Sequence, residues 1–375
     1  MFLLIELNRE KILLLSIFLL IFLGLGVYLG VLFREDAVMV IDDEVKDILS
    51  QDIQNIFNIR NKALVEGDKD TLKALYNTEG RTGRWAYEHS LRKMRYLQDW
   101  GAKQGVKFKD INSEVLLRYV KEKGDGYSTT LLVSTEYKYA YQDSPKKYNT
   151  FRIGAYHAFE IIPKDERWVI SKEWYMDPMD DSLELEQSKI EEANKIILSG
   201  EPKDLSNLNK RRLKAVEYAD KYCGTASLPK YGFKYNPKYR NFNSQGGNCA
   251  NFASQILYEG AGFRKNRAWN YSRGSGTKAW LNAHGFNQYM TYSNRASMIA
   301  HGSYNQVLKS SYKLLPGDYV AYEKKGKVDH ISVVTGLDSK GYALVNCHNS
   351  DRYRVPWDIG WNKKGVKFRL VRVHY

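Results

Sequence analysis

The segment Gly246-Gly-Asn-Cys249-Ala-Asn-Phe-Ala-Ser-Gln255 sets a cysteine directly behind two glycines and ahead of a helical pattern. Cys249, Ala253, Ile256, Leu257 and Gly260 recur at i, i+4, i+7, i+8 and i+11, so a helix is expected to begin at about Cys249, with the thiol on its inward face. The first turn of a helix presents free N–H groups and a partial positive charge, both of which favour thiolate over thiol. The same N–H groups can hold the oxyanion of a tetrahedral intermediate. Gly246 and Gly247 would let a substrate backbone approach closely.

A thiolate nucleophile needs an imidazole to take its proton and return it to the leaving amine, and the imidazole needs a third group to fix its tautomer. Val328-Asp-His330-Ile-Ser-Val-Val-Thr-Gly336 reads as a strand with His330 at its start. The next strand, Tyr342-Ala-Leu-Val-Asn346-Cys-His348, carries Asn346 and His348 on one face by its period of two, and either can be the orienting group. Cys347 faces the other way and is assigned to the core. Cys223 is also assigned to packing, at the end of a helix over Arg211–Tyr222 whose stripe is Leu213, Val216 and Ala219. Asp318, after Pro-Gly, reads as turn chemistry. Trp269, Tyr271, Trp280, Trp357 and Trp361 either stack on sugar rings, line a peptide groove or fill the core. His284, His301, His330 and His348 lack His-Glu-x-x-His spacing, and no Cys-x-x-Cys pair accompanies them, so neither a metal nor any other cofactor is expected.

These motifs in this order, with Trp269-Asn-Tyr271, Trp280, Pro-Gly-Asp318, Asp-His330 and His348-Asn-Ser-Asp351-Arg352, resemble the putative amidase domain family over roughly residues 208–375. The resemblance implies a papain-like fold related to the NlpC and CHAP peptidoglycan hydrolases. It also implies Cys249 as nucleophile, His330 as general base and acid, and His348 or Asn346 as the orienting residue. Gly247, Asn248, Trp269, Tyr271, Trp280 and Asp351 are then the candidate substrate-binding residues. Asn248 departs from the Asp common before the cysteine in that family.

Upstream, Ile12 to Phe33 is 22 residues without a charge. At 1.5 Å per residue it reaches about 33 Å, enough for a hydrocarbon core of ~30 Å. Residues 1–36 are therefore expected to be a cytoplasmic stub and membrane anchor. Arg9 and Lys11 before the span, against Arg34 after it, weakly favour an inner N-terminus and extracytoplasmic C-terminal domains. Residues 40–178 read as helices followed by four long antiparallel strands, including the alternation Phe151-x-Ile153-x-Ala155-x-His157-x-Phe159-x-Ile161. Asp70 is the expected cap of the short helix that follows it, and His157 is expected to be a core residue. The layout resembles the cone of the nuclear-transport-factor-like (SnoaL-like) superfamily, which implies a pocket or a dimer face. Residues 179–207 read as an acidic helical connector, and 208–375 as the papain-like domain. The expected class is α+β throughout, behind a transmembrane helix.

The chain has 375 residues, 43 % of them hydrophobic and 27 % charged, with only 8 prolines, which excludes collagen-like and mainly disordered chains. Three cysteines cannot make a disulfide scaffold. The net charge of +14 suits a polyanion. With residues 34–375 outside the cytoplasm, the partners expected are peptidoglycan or its peptides and anionic envelope polymers or lipid, not nucleic acid. Two functions fit: a membrane-anchored cysteine hydrolase cutting an amide bond in peptidoglycan, as amidase or endopeptidase, or a catalytically inactive binding or assembly protein on the same fold.

Overall fold

The computed structural model describes residues 43–180, 183 and 187–375. The apolar span Ile12–Phe33 lies outside the described residues. Among the described residues no helix is long and apolar enough to cross a membrane.

Three helices open the described chain: α1 (Asp43–Glu66), α2 (Lys69–Ala74) and α3 (Arg81–Gln104). Asp68, not Asp70, caps α2: its carboxylate accepts from the N–H groups of Asp70 and Thr71. Four strands follow: β1 (Val106–Lys123), β2 (Gly126–Tyr141), β3 (Tyr148–Lys164) and β4 (Arg167–Trp174). In β3, Phe151, Ile153, His157, Phe159 and Ile161 are buried on one face, against α1 and α3. After α4 (Gln187–Leu198) come α5 (Lys210–Lys221) and α6 (Cys249–Gln255), which runs on into a π-helical turn at Ile256–Gly260. On α5 the buried positions are Arg212, Ala215, Ala219 and Asp220, so Ala219 is inward as expected, while Arg212 and Ala215 take the inward places expected of Leu213 and Val216. The remaining elements are the short hairpin β5 (Tyr271–Ser272) and β6 (Ser275–Gly276), α7 (Lys278–Leu281), α8 (Ala283–Tyr292), β7 (Ala296–Gly302), α9 (Tyr304–Ser311), β8 (Tyr319–Lys324), β9 (Lys327–Leu337), β10 (Ala343–Cys347), β11 (Asp351–Pro356) and β12 (Val366–Val373).

The architecture is mixed α+β around one antiparallel sheet of 10 strands, ordered β1-β2-β3-β11-β10-β9-β8-β12-β7, with β4 also on β3. Strand β3 is the junction. It pairs with β2 on one side and, at Arg152–Gly154, with Asp351–Tyr353 of β11. Gly154 lets the turn at Gly224–Ala226 lie against β3 beside this pairing, because a Cβ there would stand 2.3 Å from Thr225. Residues 44–375 thus form one compact unit.

The interior between α1 and β3–β4 holds a buried charged network. Both oxygens of Glu173 accept from Arg60, at 2.9 and 2.8 Å, and His157 Nδ1 donates to the same carboxylate at 2.7 Å. The His157 ring stacks on Tyr175 at 3.9 Å, the satisfied core histidine its position in the apolar row suggests. Burial alone would raise the Glu173 carboxyl, but Arg60 and His157 together hold it down at about 2. Its folded value lies below its unfolded one, so its contribution to stability is complete above about pH 4.5 and is lost as pH falls toward 2. Urea midpoints measured across that window should fall by the equivalent of about 3 kcal/mol. Glu173→Gln should lack this segment of the acid limb.

Candidate active site

Cys249 is the first residue of α6 and is 7 % exposed. Gly246 and Gly247, with φ of 100° and 127°, bend the chain into the helix in the left-handed region that glycine tolerates. At Gly247 the close neighbour is the protein itself. A Cβ would stand 2.3 Å from the Asn349 amide, whose oxygen accepts from Asn248 N–H at 2.6 Å. The glycine serves this clamp, which ties the loop before Cys249 to the turn after β10.

Burial pushes the Cys249 thiol up to about 11, against the backbone N–H groups of Ile331 and Ala250, which favour the thiolate. The charge of Asp329 adds to the upward shift. Iodoacetamide labelling of Cys249, read by peptide mass spectrometry, should therefore be slow at pH 7. It should quicken about tenfold per pH unit toward 11. A plateau already at pH 7 would mean a low-pKa thiolate.

Among the described residues, no imidazole hydrogen-bonds the Cys249 sulfur. His330 lies on the opposite face of the sheet. Its ring stacks on Trp361 at 5.1 Å and packs against Tyr322 at 5.6 Å, and its Nε2 is buried with no partner. A β-bulge is the reason. Glu323 pairs with Val328 and Tyr322 with His330, so Asp329 is the extra residue. Val328 and Ile331 then both face α6, in one cluster with Cys249, and His330 turns away. Burial first, then the charges of Arg352 and Lys324, hold His330 well below the usual imidazole range, so it is neutral.

The expected orienting residues do share a face, as the period of two requires, and it is the α6 face. His348 stacks on Phe252 of α6 at 3.7 Å. Its Nδ1 accepts from the Asn248 side chain at 2.8 Å, and its Nε2 donates to Tyr222 O at 2.8 Å. Burial pushes it down to about 3, a neutral imidazole with both nitrogens occupied. Asn346 donates to Asp220 at 2.9 Å and accepts from Thr335 at 2.7 Å. Neither residue touches His330; both tie α6 and α5 to the sheet. Cys347 faces the other side, beside Ser332, and Cys223 is fully buried.

Four of the candidate substrate contacts are structural. Trp269 and Trp280 are fully buried and pack at 4.7 Å, their indole N–H groups donating to Ser254 and Asn251 at 2.9 Å each. The Tyr271 hydroxyl accepts from Arg240 N–H at 2.8 Å. Asn248 spends its side chain on Phe242, Asn251 and His348. The helical stretch from Cys249 packs these rings against its own flank, so they form the second core and not a groove. Asp318 is likewise structural, pairing with Arg212 at 2.9 Å and accepting from Leu315 N–H at 2.9 Å. Asp351 differs, because it borders an open cleft. Among the described residues no group of three or more His, Cys, Asp or Glu could hold a metal ion.

The helix-borne cysteine, the clamped loop and the β8–β10 meander lie in one contiguous stretch of chain, which has a match among known families. Residues 209–371 match the putative amidase domain family. The match runs from the start of α5 into β12, with Cys249 and His330 both inside it. No curated protein matches the chain. Two solved structures share local likeness at a TM-score of 0.24 each. One is the intermembrane-space region of the chloroplast protein ARC6, 12 % identical over 34 % of this chain and 95 % of that one. The other is a protein of unknown function from Mycobacterium tuberculosis, 13 % identical over 43 % of this chain and 92 % of that one. At such scores neither carries an argument about the amidase domain or its neighbour.

Proposed function

We propose that the chain is a membrane-anchored, extracytoplasmic cysteine hydrolase that cleaves an amide bond in peptidoglycan. The observation that carries this reading is Cys249 at the head of a buried helix inside an amidase-family domain, with the N–H groups of Ala250 and Ile331 turned toward its sulfur. The Cys249 sulfur attacks the carbonyl carbon, the carbonyl π pair moves to oxygen, and helix N–H groups hold that oxyanion. Collapse expels the amine, which takes up the proton lost by the thiol, and water then hydrolyses the thioester. His330 is the imidazole for that proton. To serve, it must leave the Trp361 and Tyr322 stack, and a one-residue slip of the bulge at Asp329 would exchange the two faces. The +14 charge suits an anionic wall, and the apolar span Ile12–Phe33 suits an anchor.

The placement of His330 favours a second reading, a wall-binding or assembly protein whose amidase fold no longer cuts. One experiment separates the two. Purified sacculi are incubated with the full-length protein in detergent, and soluble and bound muropeptides are analysed by mass spectrometry. New amino termini or free stem peptides support the hydrolase. Retention on sacculi without new termini supports the binding protein, and the absence of both cleavage and retention would overturn both readings.

A further inference from the structure

Where the sheet passes from β3 to β11, a cleft of about 190 Å³ opens on its outer face. At ~30 Å³ per water it would hold about six, the scale of a single sugar ring. Tyr156, Trp174 and Met176 line one side and are 50 %, 66 % and 57 % exposed, a large apolar surface to leave in water. Tyr235, Asn349 and Asp351 line the other side. Asp351 is only 3 % exposed, and its carboxylate is built in. Oδ2 accepts from Thr225 N–H at 2.8 Å, Thr225 Oγ1 at 2.7 Å and Tyr235 Oη at 2.5 Å. Oδ1 is buried and has no partner at all. A buried acceptor left unmade costs free energy that an incoming donor would recover.

The cleft touches the nucleophile loop through shared residues. Asn349 clamps Asn248 N–H at 2.6 Å, and Tyr235 sets its edge on His348 at 4.7 Å. Aromatic faces beside one oriented acceptor suit a ring whose C–H face is apolar and whose edge carries N–H or O–H donors. Asp351 is the one charged residue of the lining, with no cation to take a carboxylate, so an acidic stem peptide does not fit. We propose that this cleft binds a neutral N-acetylated hexosamine residue of a glycan strand, its ring over Trp174 and Tyr156 and a donor on Asp351 Oδ1. The inference rests on the peptidoglycan reading for the polymer, but it concerns binding alone.

The test uses the full-length protein carrying Cys249→Ala, in detergent, and the trisaccharide of N-acetylglucosamine as probe, with affinity read by calorimetry. Binding is expected, weakened about tenfold by Trp174→Ala and by Tyr156→Ala, both surface changes that leave the core intact. Trp85→Ala, in a neighbouring cleft that Trp174 also borders, should leave it unchanged. No binding by the parent, equal binding by the Trp174 and Tyr156 variants, or a dependence on Trp85 instead would each overturn the proposal. Muropeptide release is a separate readout: sugar binding that depends on Trp174 without any amide cleavage would sink the hydrolase and leave this site standing.

Discussion

Alanine at position 249 is expected to lower amide-bond cleavage by a factor on the order of 10³ or more in kcat, with binding to sacculi unchanged. The size follows from what is removed. Without the sulfur no thioester forms, and the N–H groups of Ala250 and Ile331 retain only their electrostatic help to direct attack by water. Cys249→Ser should recover little, because a hydroxyl is a much weaker nucleophile than a thiol and has no base beside it here. Cys347→Ala is the matched control. It removes a buried thiol on β10, from the face away from α6, and should retain cleavage. Cleavage by the Cys249→Ala variant at the parent rate would eliminate the cysteine mechanism, whatever polymer is cut.

The second large effect concerns stability. Lys103, in the last turn of α3, and Asp358, after β11, form an ion pair with neither side chain exposed. Lys103 also donates to Tyr304 Oη at 3.0 Å, and Asp358 accepts from Tyr342 Oη at 2.8 Å and from the Trp100 indole at 3.3 Å. The pair joins the helical layer of the N-terminal half to the sheet of the amidase domain, and burial pulls Lys103 below the usual lysine range. Lys103→Met should cost about 3–5 kcal/mol in urea unfolding, because the Asp358 carboxylate is left buried without its counter-charge. Lys103→Met with Asp358→Asn should recover most of that loss, since the amide is neutral and its oxygen still takes the tyrosine or indole proton. A single variant within about 0.5 kcal/mol of the parent would show that water reaches the pair.

Both effects depend on residues of unequal legibility. Cys249 could be found from the chain alone, because a glycine pair, a helix start and an i, i+4 stripe are local features. The row Phe151 to Ile161, the shared face of Asn346 and His348, and the opposite facing of Cys347 follow equally from the period of a strand. Local chemistry misplaced the cap of α2 by two residues, since Asp68 and Asp70 both precede Thr71 and only backbone geometry decides that Asp70 already lies in the first turn.

What the local pattern could not determine was set by distant partners. His330 turns away from α6 because β8 and β9 pair with one residue to spare, and a bulge is a property of two strands, not of one. Trp269 and Trp280 read from the chain as groove or core alike, and their packing and indole hydrogen bonds on α6 make them core. Lys103 reads as a surface lysine near a helix end, and only the fold brings Asp358 to it from 255 positions away. The pairing of β3 with β11 fuses two apparent domains into one sheet and sets Asp351, with its Oδ1 unpartnered, in the lining of an aromatic cleft. The sequence by itself determined the alternating faces of the strands and the cysteine at the helix head, because short-range sterics and period act within one element. Tertiary structure decided which faces meet, because strand register and pairing depend on a second segment, near in the chain for β8 and β9 and about 200 positions away for β3 and β11.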